Sequence, residues 1–458
     1  MKPVERSSPR HPPMHQFPVQ DGELVVGGLP LRRGWDMTLA ATGAGAMPKL
    51  RETVLACPVV PHLKDTTAMS TSPRMAWTNL PASALRQRPD LLAAWDRLNG
   101  ERGDLPFLTA EAMICALDIF GDGSERLLVG QHGRTAVAML ILVPAGKFRW
   151  YTFQPSQIPL GACVAEAGLS LSNIARELSR GPLGFCLSLS MTQLDPRFSP
   201  RDEDDADSNS SDYIETGWIE LNDSFDGYWS ARGKNLRQNM RKQRNRLATE
   251  GITGWMRSLT ARADMALAVE RYGALESSGW KAAQGTAIHR DNAQGRFYRR
   301  LLEGAAERGE AVVYEYLFND CVVASNLCLR RRGTLVVLKT TYNELIQSYS
   351  PAFLLCHDEM QQLYRENTID RLEYYGRIMN WHTRWTENKR TIYHLTVYRW
   401  PMVKQFAQWR RRIPAATAAR PGTLPTVQDA LDRTTLASAF LTGTADGERP
   451  PPGSVSQP

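Results

Sequence analysis

The stretch best suited to binding chemistry is RGKNLRQNMRKQRNRLATEG, residues 232–251, which holds seven Lys or Arg residues against one Glu. Drawn as a helix at 100° per residue, it has a cationic arc made of Lys234, Arg237, Arg241 and Arg244. The neighbouring arc is apolar and contains Trp229, Leu236, Met240 and Leu247. The pattern predicts a helix that packs on a core and ends near Gly251, with a continuous cationic strip along one side.

This cationic strip admits four uses. It can attract an anionic substrate or cofactor, or it can be a solvated face paired with acidic residues. Nucleic-acid binding would require further basic elements and exposed aromatic side chains, which the sequence does not display. Membrane binding would require a helix free to leave the protein body, whereas this one lies inside a domain. We therefore expect no nucleic acid and no membrane insertion.

The composition is that of an ordinary globular protein of 458 residues, with 42% hydrophobic and 22% charged residues and a net charge of +7. The length favours two domains. The seven cysteines are scattered without CxxC spacing, so we expect free thiols and no metal site. The N-terminus lacks the apolar core of a signal peptide, and no apolar run is long enough for a membrane span. These features predict a cytoplasmic protein.

One order of elements occurs twice along the chain. Three strands, a helix and a fourth strand are predicted from RLLVGQH to LGFCLSLSM and again from AVVYEYLF to RLEYYGR. The acidic run between them, with five acids from Asp202 to Asp207, predicts a solvated linker or a lid over the cationic strip. The predicted organisation is an N-terminal extension (1–73), a first domain (74–200), a linker (201–212), a second domain (213–412) and a tail (413–458).

The second segment resembles the acyl-CoA N-acyltransferase superfamily of the GCN5-related type. The similarity is closest to its CelD-like acetyltransferase branch from cellulose and exopolysaccharide clusters, which is distantly related to the FemAB-type aminoacyl transferases. The matching motifs, in order, are GKNLRQNMRKQRNRL, ESSGWK, TTYNE, SPAFLL and GRIMNWHTRW. The resemblance extends over about 213–400, and over 75–200 only in outline. Two positions depart from the family pattern, because Ala352 replaces a glycine and Trp381-His382 replaces a Tyr-Lys pair.

The resemblance implies an α/β (α+β) fold with tandem acyl-CoA N-acyltransferase-like domains. Each would be a mixed, mostly antiparallel central sheet flanked by helices. The first copy lacks counterparts of SPAFLL and ESSGWK, so it would be degenerate. Acetyl-CoA is the implied donor, and the implied cofactor-binding residues are Thr341, Ser350, Pro351, Ala352, Phe353 and Leu354. The amides of the last three, at the start of a helix, would hold the pyrophosphate.

The same resemblance implies a catalytic set that supplies a base, an oxyanion donor and an acid for the leaving thiolate. Glu276 and then Glu344 would be the carboxylates near the acceptor, Tyr342 the proton donor to sulfur, and His382 a base. The acceptor would be bound by the cationic strip together with Trp280, Lys281 and Trp381. A surface salt bridge, core packing or a structural histidine remains an open alternative for each of these residues.

The implied activity is acyl-CoA-dependent N-acyl transfer, with acetyl as the default group, to an amine of a polar acceptor. An amino sugar in exopolysaccharide, cellulose or cell-surface biosynthesis is the expected acceptor class, with polysaccharide-synthesis proteins as possible partners. Two alternatives stay open. One is a FemAB-like transferase that uses aminoacyl-tRNA, and the other is a non-catalytic acyltransferase-fold protein of a polysaccharide assembly system.

Overall fold

The computed structural model describes residues 75–277 and 288–412. The predicted N-terminal extension (1–73), the predicted tail (413–458), and two expected site residues, Trp280 and Lys281, lie outside these ranges.

The sheet in the described residues is built from thirteen strands. In chain order they are Ala76–Pro81 (β1), Arg126–His132 (β2), Thr135–Pro144 (β3), Arg149–Thr152 (β4), Cys163–Ala165 (β5), Ser188–Leu194 (β6), Ser208–Glu220 (β7), Gly254–Leu259 (β8), Ala311–Phe318 (β9), Cys321–Arg331 (β10), Thr334–Tyr342 (β11), Arg371–Glu373 (β12) and Lys389–Tyr398 (β13).

The helices flank this sheet. They are Ala84–Gln87 (α1), Pro89–Glu101 (α2), Ala110–Phe120 (α3), Leu171–Arg180 (α4), Phe225–Ser230 (α5), Lys234–Thr249 (α6), Arg262–Ser277 (α7), Ala293–Glu307 (α8), Pro351–Glu366 (α9) and Pro401–Arg412 (α10). No helix in the described ranges combines the length and the apolar content that crossing a membrane requires.

Local sequence signals explain where these elements begin and turn. Thr109, Ser170 and Asn292 cap α3, α4 and α8 by accepting a backbone N–H from the first turn. Arg332 and Gly333 form the two-residue turn between β10 and β11, and both have positive φ, as the primed turns of tight hairpins require. The twice-occurring order of strands and helix is present, with α4 and α9 as the repeated helices, but the first half has one further strand, β5, between β4 and α4.

The sheet runs β1-β2-β3-β4-β6-β13-β7-β12-β11-β10-β9-β8, with β5 beside β3. Within the described residues only two neighbouring pairs are parallel, β4 with β6 and β11 with β12, one in each half. The expected fold class, a mixed and mostly antiparallel sheet flanked by helices, is therefore confirmed.

The two halves exchange strands at the centre of the sheet. The last strand of the chain, β13, pairs with β6 of the first half. The strand that precedes the second half, β7, pairs with both β13 and β12. Because β7 begins at Ser208, it occupies part of the segment 201–212 that was expected to be a linker.

A buried ion cluster lies at this central junction. Arg390 donates to both carboxylate oxygens of Asp195, at 2.8 and 2.7 Å, and to Glu373 at 2.9 Å. The Asp195 and Glu373 side chains are fully buried. Arg390 also lies over the Trp218 and Tyr375 rings. The cluster joins β13, β12 and the end of β6, since Arg390, Glu373 and Asp195 lie on these three strands or directly after them.

The acidic run is held on α4 at its two ends, Asp202 and Asp207, whereas Glu203, Asp204 and Asp205 between them are exposed. Asp202 accepts hydrogen bonds from the Ser170 and Ser172 hydroxyls, at 3.0 and 2.7 Å. Asp207 accepts from Arg176 at 2.9 Å and from Arg180 at 3.0 Å. The cations that compensate the run are therefore local to the first half. A carboxylate of the chain itself lies at the N-terminus of α4, where anions are favoured.

The basic helix differs from expectation at its start. α6 begins at Lys234, so Trp229 belongs to the separate short helix α5 rather than to the same apolar arc. Leu236, Met240 and Leu247 are buried as predicted. Gly251 has φ +68° just after the helix, which agrees with its expected role as a stop.

Candidate functional site

A V-shaped opening lies where β11 and β12 part. Their parallel pairing joins Thr334–Val336 to Arg371–Glu373, whereas β11 continues to Tyr342 alongside β10. The register between β10 and β11 slips at Leu338, a β-bulge of the kind that re-aims side chains beside functional sites. The family resemblance implies that pantetheine lies in such an opening.

The sequence of β11 changes character at the same point. Leu335, Val336 and Val337 are buried, as expected of a strand covered on both faces. The residues that follow Leu338, KTTY, are only half-buried. The polar end of the strand therefore lines the opening, and it includes the expected site residues Thr341 and Tyr342.

The first turn of α9 lies at the outer end of this opening, and it offers fewer free backbone amides to an anion than expected. Ser350 has left-handed backbone angles, φ 54° and ψ 49°, and Pro351 opens the helix. The Phe353 and Leu354 N–H groups donate to the Ser350 carbonyl at 3.0 and 3.1 Å. Of the three amides expected to hold pyrophosphate, only that of Ala352 has no acceptor within the described residues.

Helix α6 contacts α9 but does not present all of its cationic strip. Asn239 donates to the Ser350 hydroxyl at 3.3 Å, which ties the basic helix to the first turn of α9. Arg244 is paired with Asp358 and His357 of α9, so its charge is already compensated, contrary to the expected substrate contact. The other strip residues, Lys234, Arg237 and Arg241, are exposed.

A narrow cleft, partly open to solvent, lies between β11, β12 and α9 and has room for about one water-sized group. Its polar wall contains Asn326 of β10, Thr340 of β11 and Glu359 of α9. Its aromatic wall contains Tyr374 and Trp381. The described residues thus bring Trp381 to the same cleft as the inner end of β11.

Glu359 is the carboxyl group of this cleft. Its side chain is buried, and one oxygen, Oε2, accepts a hydrogen bond from Asn326 Nδ2 at 2.7 Å. The other oxygen, Oε1, and Asn326 Oδ1 are buried without a hydrogen-bond partner in the described chain. Burial raises the pKa of Glu359 to about 7, against the opposing effect of the Asn326 hydrogen bond. The cleft therefore holds a carboxyl group that changes charge near neutral pH.

His382 does not behave as the expected base. It is buried, and burial lowers its pKa to about 4, so the ring is neutral at pH 7. Its Nδ1 accepts the Met379 N–H at 2.9 Å, which occupies the nitrogen that carries the lone pair. The ring stacks on Trp381 with centroids 3.5 Å apart. His382 therefore packs against Trp381 beside the cleft.

Tyr342 and Glu344 lie at the end of β11 and in the Glu344–Tyr349 turn that follows it. Burial, and secondarily the Glu344 carboxylate, raise the pKa of Tyr342. A phenol with a raised pKa keeps its proton at neutral pH and can donate it. The structure is therefore compatible with Tyr342 as a proton donor, and that role stays a prediction.

Glu276 lies on the opposite face of the sheet from α9. It is buried on α7, and its Oε2 accepts the Ile288 N–H at 2.8 Å. The neighbouring Tyr272 donates from its hydroxyl to the Thr340 carbonyl at 3.0 Å. Glu276 thus connects the end of α7 to Ile288 and does not line the cleft that contains Trp381 and Glu359.

Glu359 and Asn326 were not among the residues expected from the sequence. A signal was present, because Leu355, Glu359 and Leu363 are spaced four apart in the helix and all three are buried. An acid at a core position of an amphipathic helix is a candidate for a perturbed pKa. Asn326 had no such signal, since it lies within the apolar strand CVVASNLCLRR.

Residues 234–383 match the family described as Acetyltransferase (GNAT) domain. The matched region is about a third of the chain and runs from the first residue of α6 to the turn that contains His382. No curated protein matches the chain.

Similar solved structures include L-PGS from Bacillus licheniformis, at 15% identity, covering 68% of this chain and 92% of that chain with a TM-score of 0.42. FemX is similar at 9% identity, 61% and 90% coverage and a TM-score of 0.41. A tandem GNAT protein from the clavulanic acid biosynthesis pathway is similar at 13% identity, 70% and 98% coverage and a TM-score of 0.38. At these values the similarities carry no inference about activity.

Proposed function

We propose that the protein is an acyl-CoA-dependent N-acyltransferase, a proposal supported by the match of residues 234–383 to the Acetyltransferase (GNAT) domain family. Acetyl-CoA is the donor we propose. The acceptor is an amine on a polar molecule such as an amino sugar of exopolysaccharide or cell-surface biosynthesis.

The observation that carries the proposal is the opening between β11 and β12 beside the first turn of α9. The unpaired Ala352 amide and the helix dipole favour an anion at that turn. α6, which touches the turn through Asn239 and Ser350, carries exposed cations that attract phosphate groups. A phosphorylated carrier at the outer end would place its thioester in the half-buried, polar part of β11.

The walls of the cleft support a polar amine acceptor. Trp381 and Tyr374 offer flat apolar surfaces, while Glu359 and Asn326 offer hydrogen-bond acceptors. A few polar groups in an otherwise apolar cleft are typical of sites that orient a small ligand.

The first half is proposed not to bind a donor. At the N-terminus of α4, which corresponds in order to α9, the Asp202 carboxylate already accepts from Ser170 and Ser172. An acyl-CoA pyrophosphate at that turn would meet a like charge. We therefore propose one donor site per chain.

Calorimetry with acetyl-CoA tests the donor. The expected result is saturable binding with one molecule per chain, and no heat at millimolar acetyl-CoA refutes the proposal. Binding of charged tRNA that weakens steeply with salt would instead support the aminoacyl-tRNA alternative. Transfer to D-glucosamine, followed by mass spectrometry of the product, tests the acceptor class.

Ala352→Asp probes the α9 turn itself. A carboxylate in the first turn stabilises a helix by about 0.3–1 kcal/mol, so the variant should fold, yet it repels the pyrophosphate. We expect acetyl-CoA to bind at least about tenfold more weakly, a loss of about 1.4 kcal/mol. Asn173→Asp, at the first turn of α4, is the matched control and should bind acetyl-CoA as the wild type does.

Arg241→Glu tests whether the cationic strip binds the donor or the acceptor. Weaker acetyl-CoA binding would assign it to the donor, and a raised KM for the amine with unchanged acetyl-CoA affinity would assign it to the acceptor. A variant that changes neither constant would make the strip a solvated face.

A further inference from the structure

Two buried oxygens in the cleft are hydrogen-bond acceptors that have no donor within the described residues. Glu359 Oε1 and Asn326 Oδ1 both lack a donor among the described residues, although their side chains are 2% and 3% exposed. A buried acceptor without a donor is costly, by about 1–3 kcal/mol. Both side chains line the cleft, so a ligand that donates hydrogen bonds there would satisfy them.

The surroundings of Glu359 contain no compensating charge within the described chain. The titratable groups that face it are Tyr314 on β9, Cys328 on β10, Cys356 on α9 and Tyr374 after β12. Burial raises the pKa of all four, so each is neutral at pH 7. The Glu359 carboxylate therefore has a single hydrogen bond and no cation beside it.

The chemistry that completes such a site is an amine. An ammonium group brings three donors and the missing positive charge, and the Tyr374 and Trp381 rings that form the other wall attract cations. We infer that Glu359 and Asn326 receive the amine of the acceptor, and that Glu359 accepts its proton. This inference rests on the proposed N-acyl transfer and adds the group that makes the amine nucleophilic.

The acceptor enters as an ammonium ion and gives one proton to the Glu359 carboxylate, which leaves a free electron pair on nitrogen. That pair forms the C–N bond to the thioester carbonyl, and the C–S bond breaks. Nitrogen loses two protons in all, of which one ends on the sulfur of CoA and one passes to solvent. Glu359 thereby returns to its carboxylate form.

Glu359→Gln and Asn326→Leu test this role with acetyl-CoA and D-glucosamine, by thiol release and product mass spectrometry from pH 5 to 9. For the wild type we expect kcat/KM to rise with pH through a midpoint near 7. Glu359→Gln should bind acetyl-CoA normally, lose this rise and fall by about a hundredfold or more. Asn326→Leu should move the midpoint to higher pH, because it removes the hydrogen bond that stabilises the carboxylate.

Glu366→Gln, an exposed position on the same helix, is the matched control and should keep the wild-type profile. A Glu359→Gln protein that folds, binds acetyl-CoA and keeps both the rate within threefold and the pH rise would overturn the inference while leaving N-acyl transfer intact. A wild type that does not bind acetyl-CoA would instead refute the proposed function.

A second measurement does not depend on turnover. The infrared band of the protonated Glu359 carboxyl, identified by its absence in Glu359→Gln, should titrate near pH 7. Added CoA and D-glucosamine should shift that titration to lower pH, because a bound ammonium favours the carboxylate. A titration that the amine does not move would count against the amine site even if acetyl-CoA binds.

Discussion

The buried carboxyl of Glu359 makes a quantitative prediction about stability. Its pKa rises from 4.5 to about 7 on folding, so between these values the folded protein holds a proton that the unfolded chain has released. The contribution of Glu359 to stability is therefore fully present below pH 4.5 and is lost as pH rises through 7. With about 1.4 kcal/mol for each pH unit of the difference, the full loss is about 3 kcal/mol. Integrated between pH 5.5 and 8, it is about 2 kcal/mol.

Glu359→Gln keeps the shape of the side chain and removes its titratable proton. The difference between wild type and variant therefore isolates the contribution of Glu359 to the free energy of unfolding. Urea unfolding of wild type and variant at pH 5.5 and 8 is the assay, and the wild type should lose about 2 kcal/mol relative to the variant over that interval. Only the difference in unfolding free energy between wild type and variant reports on Glu359. Burial lowers the pKa of His382 and His394 to about 4, so each destabilises the fold as pH falls below 6.5, but both are present in the two proteins and cancel.

A wild-type-minus-variant difference that changes by less than about 0.5 kcal/mol between the two pH values, or that changes in the opposite direction, would mean that Glu359 is not held protonated by burial. Glu366→Gln provides the reference for the chemical change from Glu to Gln on the same helix.

Three further substitutions test other parts of the fold. Arg390→Met leaves Asp195 without its buried partner and should reduce unfolding free energy by about 3–5 kcal/mol in urea titrations. Asp202→Ala removes the carboxylate from the start of α4 and should cost about 1–2 kcal/mol, while calorimetry still finds one acetyl-CoA per chain because the first half also lacks counterparts of SPAFLL and ESSGWK. His382→Asn keeps an acceptor for the Met379 N–H, so activity at pH 7.5 should stay within about threefold. The acid-induced loss of stability between pH 6.5 and 4 should shrink, as followed by circular dichroism.

Each of these has an opposing result. A loss of less than about 1 kcal/mol of unfolding free energy in Arg390→Met would show that buried Asp195 does not depend on the charge of Arg390. Two acetyl-CoA molecules per chain in Asp202→Ala would show that the first half keeps a donor site masked by its own carboxylate. Loss of activity in His382→Asn at unchanged stability would show that the His382 imidazole takes part in catalysis.

Local sequence patterns predict the helices and strands of this protein but not the distant residues that they contact. The repeated order of strands and helix, the apolar side of α6 and the start of α9 at Pro351 are all read from neighbours within a few residues, where period and capping rules apply. The GNAT match then agrees with the motifs from α6 to Trp381. The acid run looked solvated because its partners, Ser170 and Arg176, lie about thirty residues away along the chain.

The site residues show the same limit. Glu359 differs from an ordinary helix acid only because it faces β10, where Asn326 is 33 residues away. The charge on Arg244 looked available until α9 placed Asp358 against it. His382 looked titratable near neutrality, and only tertiary burial lowers its pKa. Charge, exposure and pKa are properties of the assembled fold, and sequence spacing does not contain them.

The exchange of strands at the sheet centre has a consequence for synthesis on the ribosome. The chain emerges from the N-terminus, so β6 is made about two hundred residues before β13, its neighbour in the finished sheet. During that interval the first half exposes a strand edge that can pair with other chains. The first half therefore reaches its final form only after nearly the whole described chain has been translated, and premature termination before residue 389 leaves that edge open.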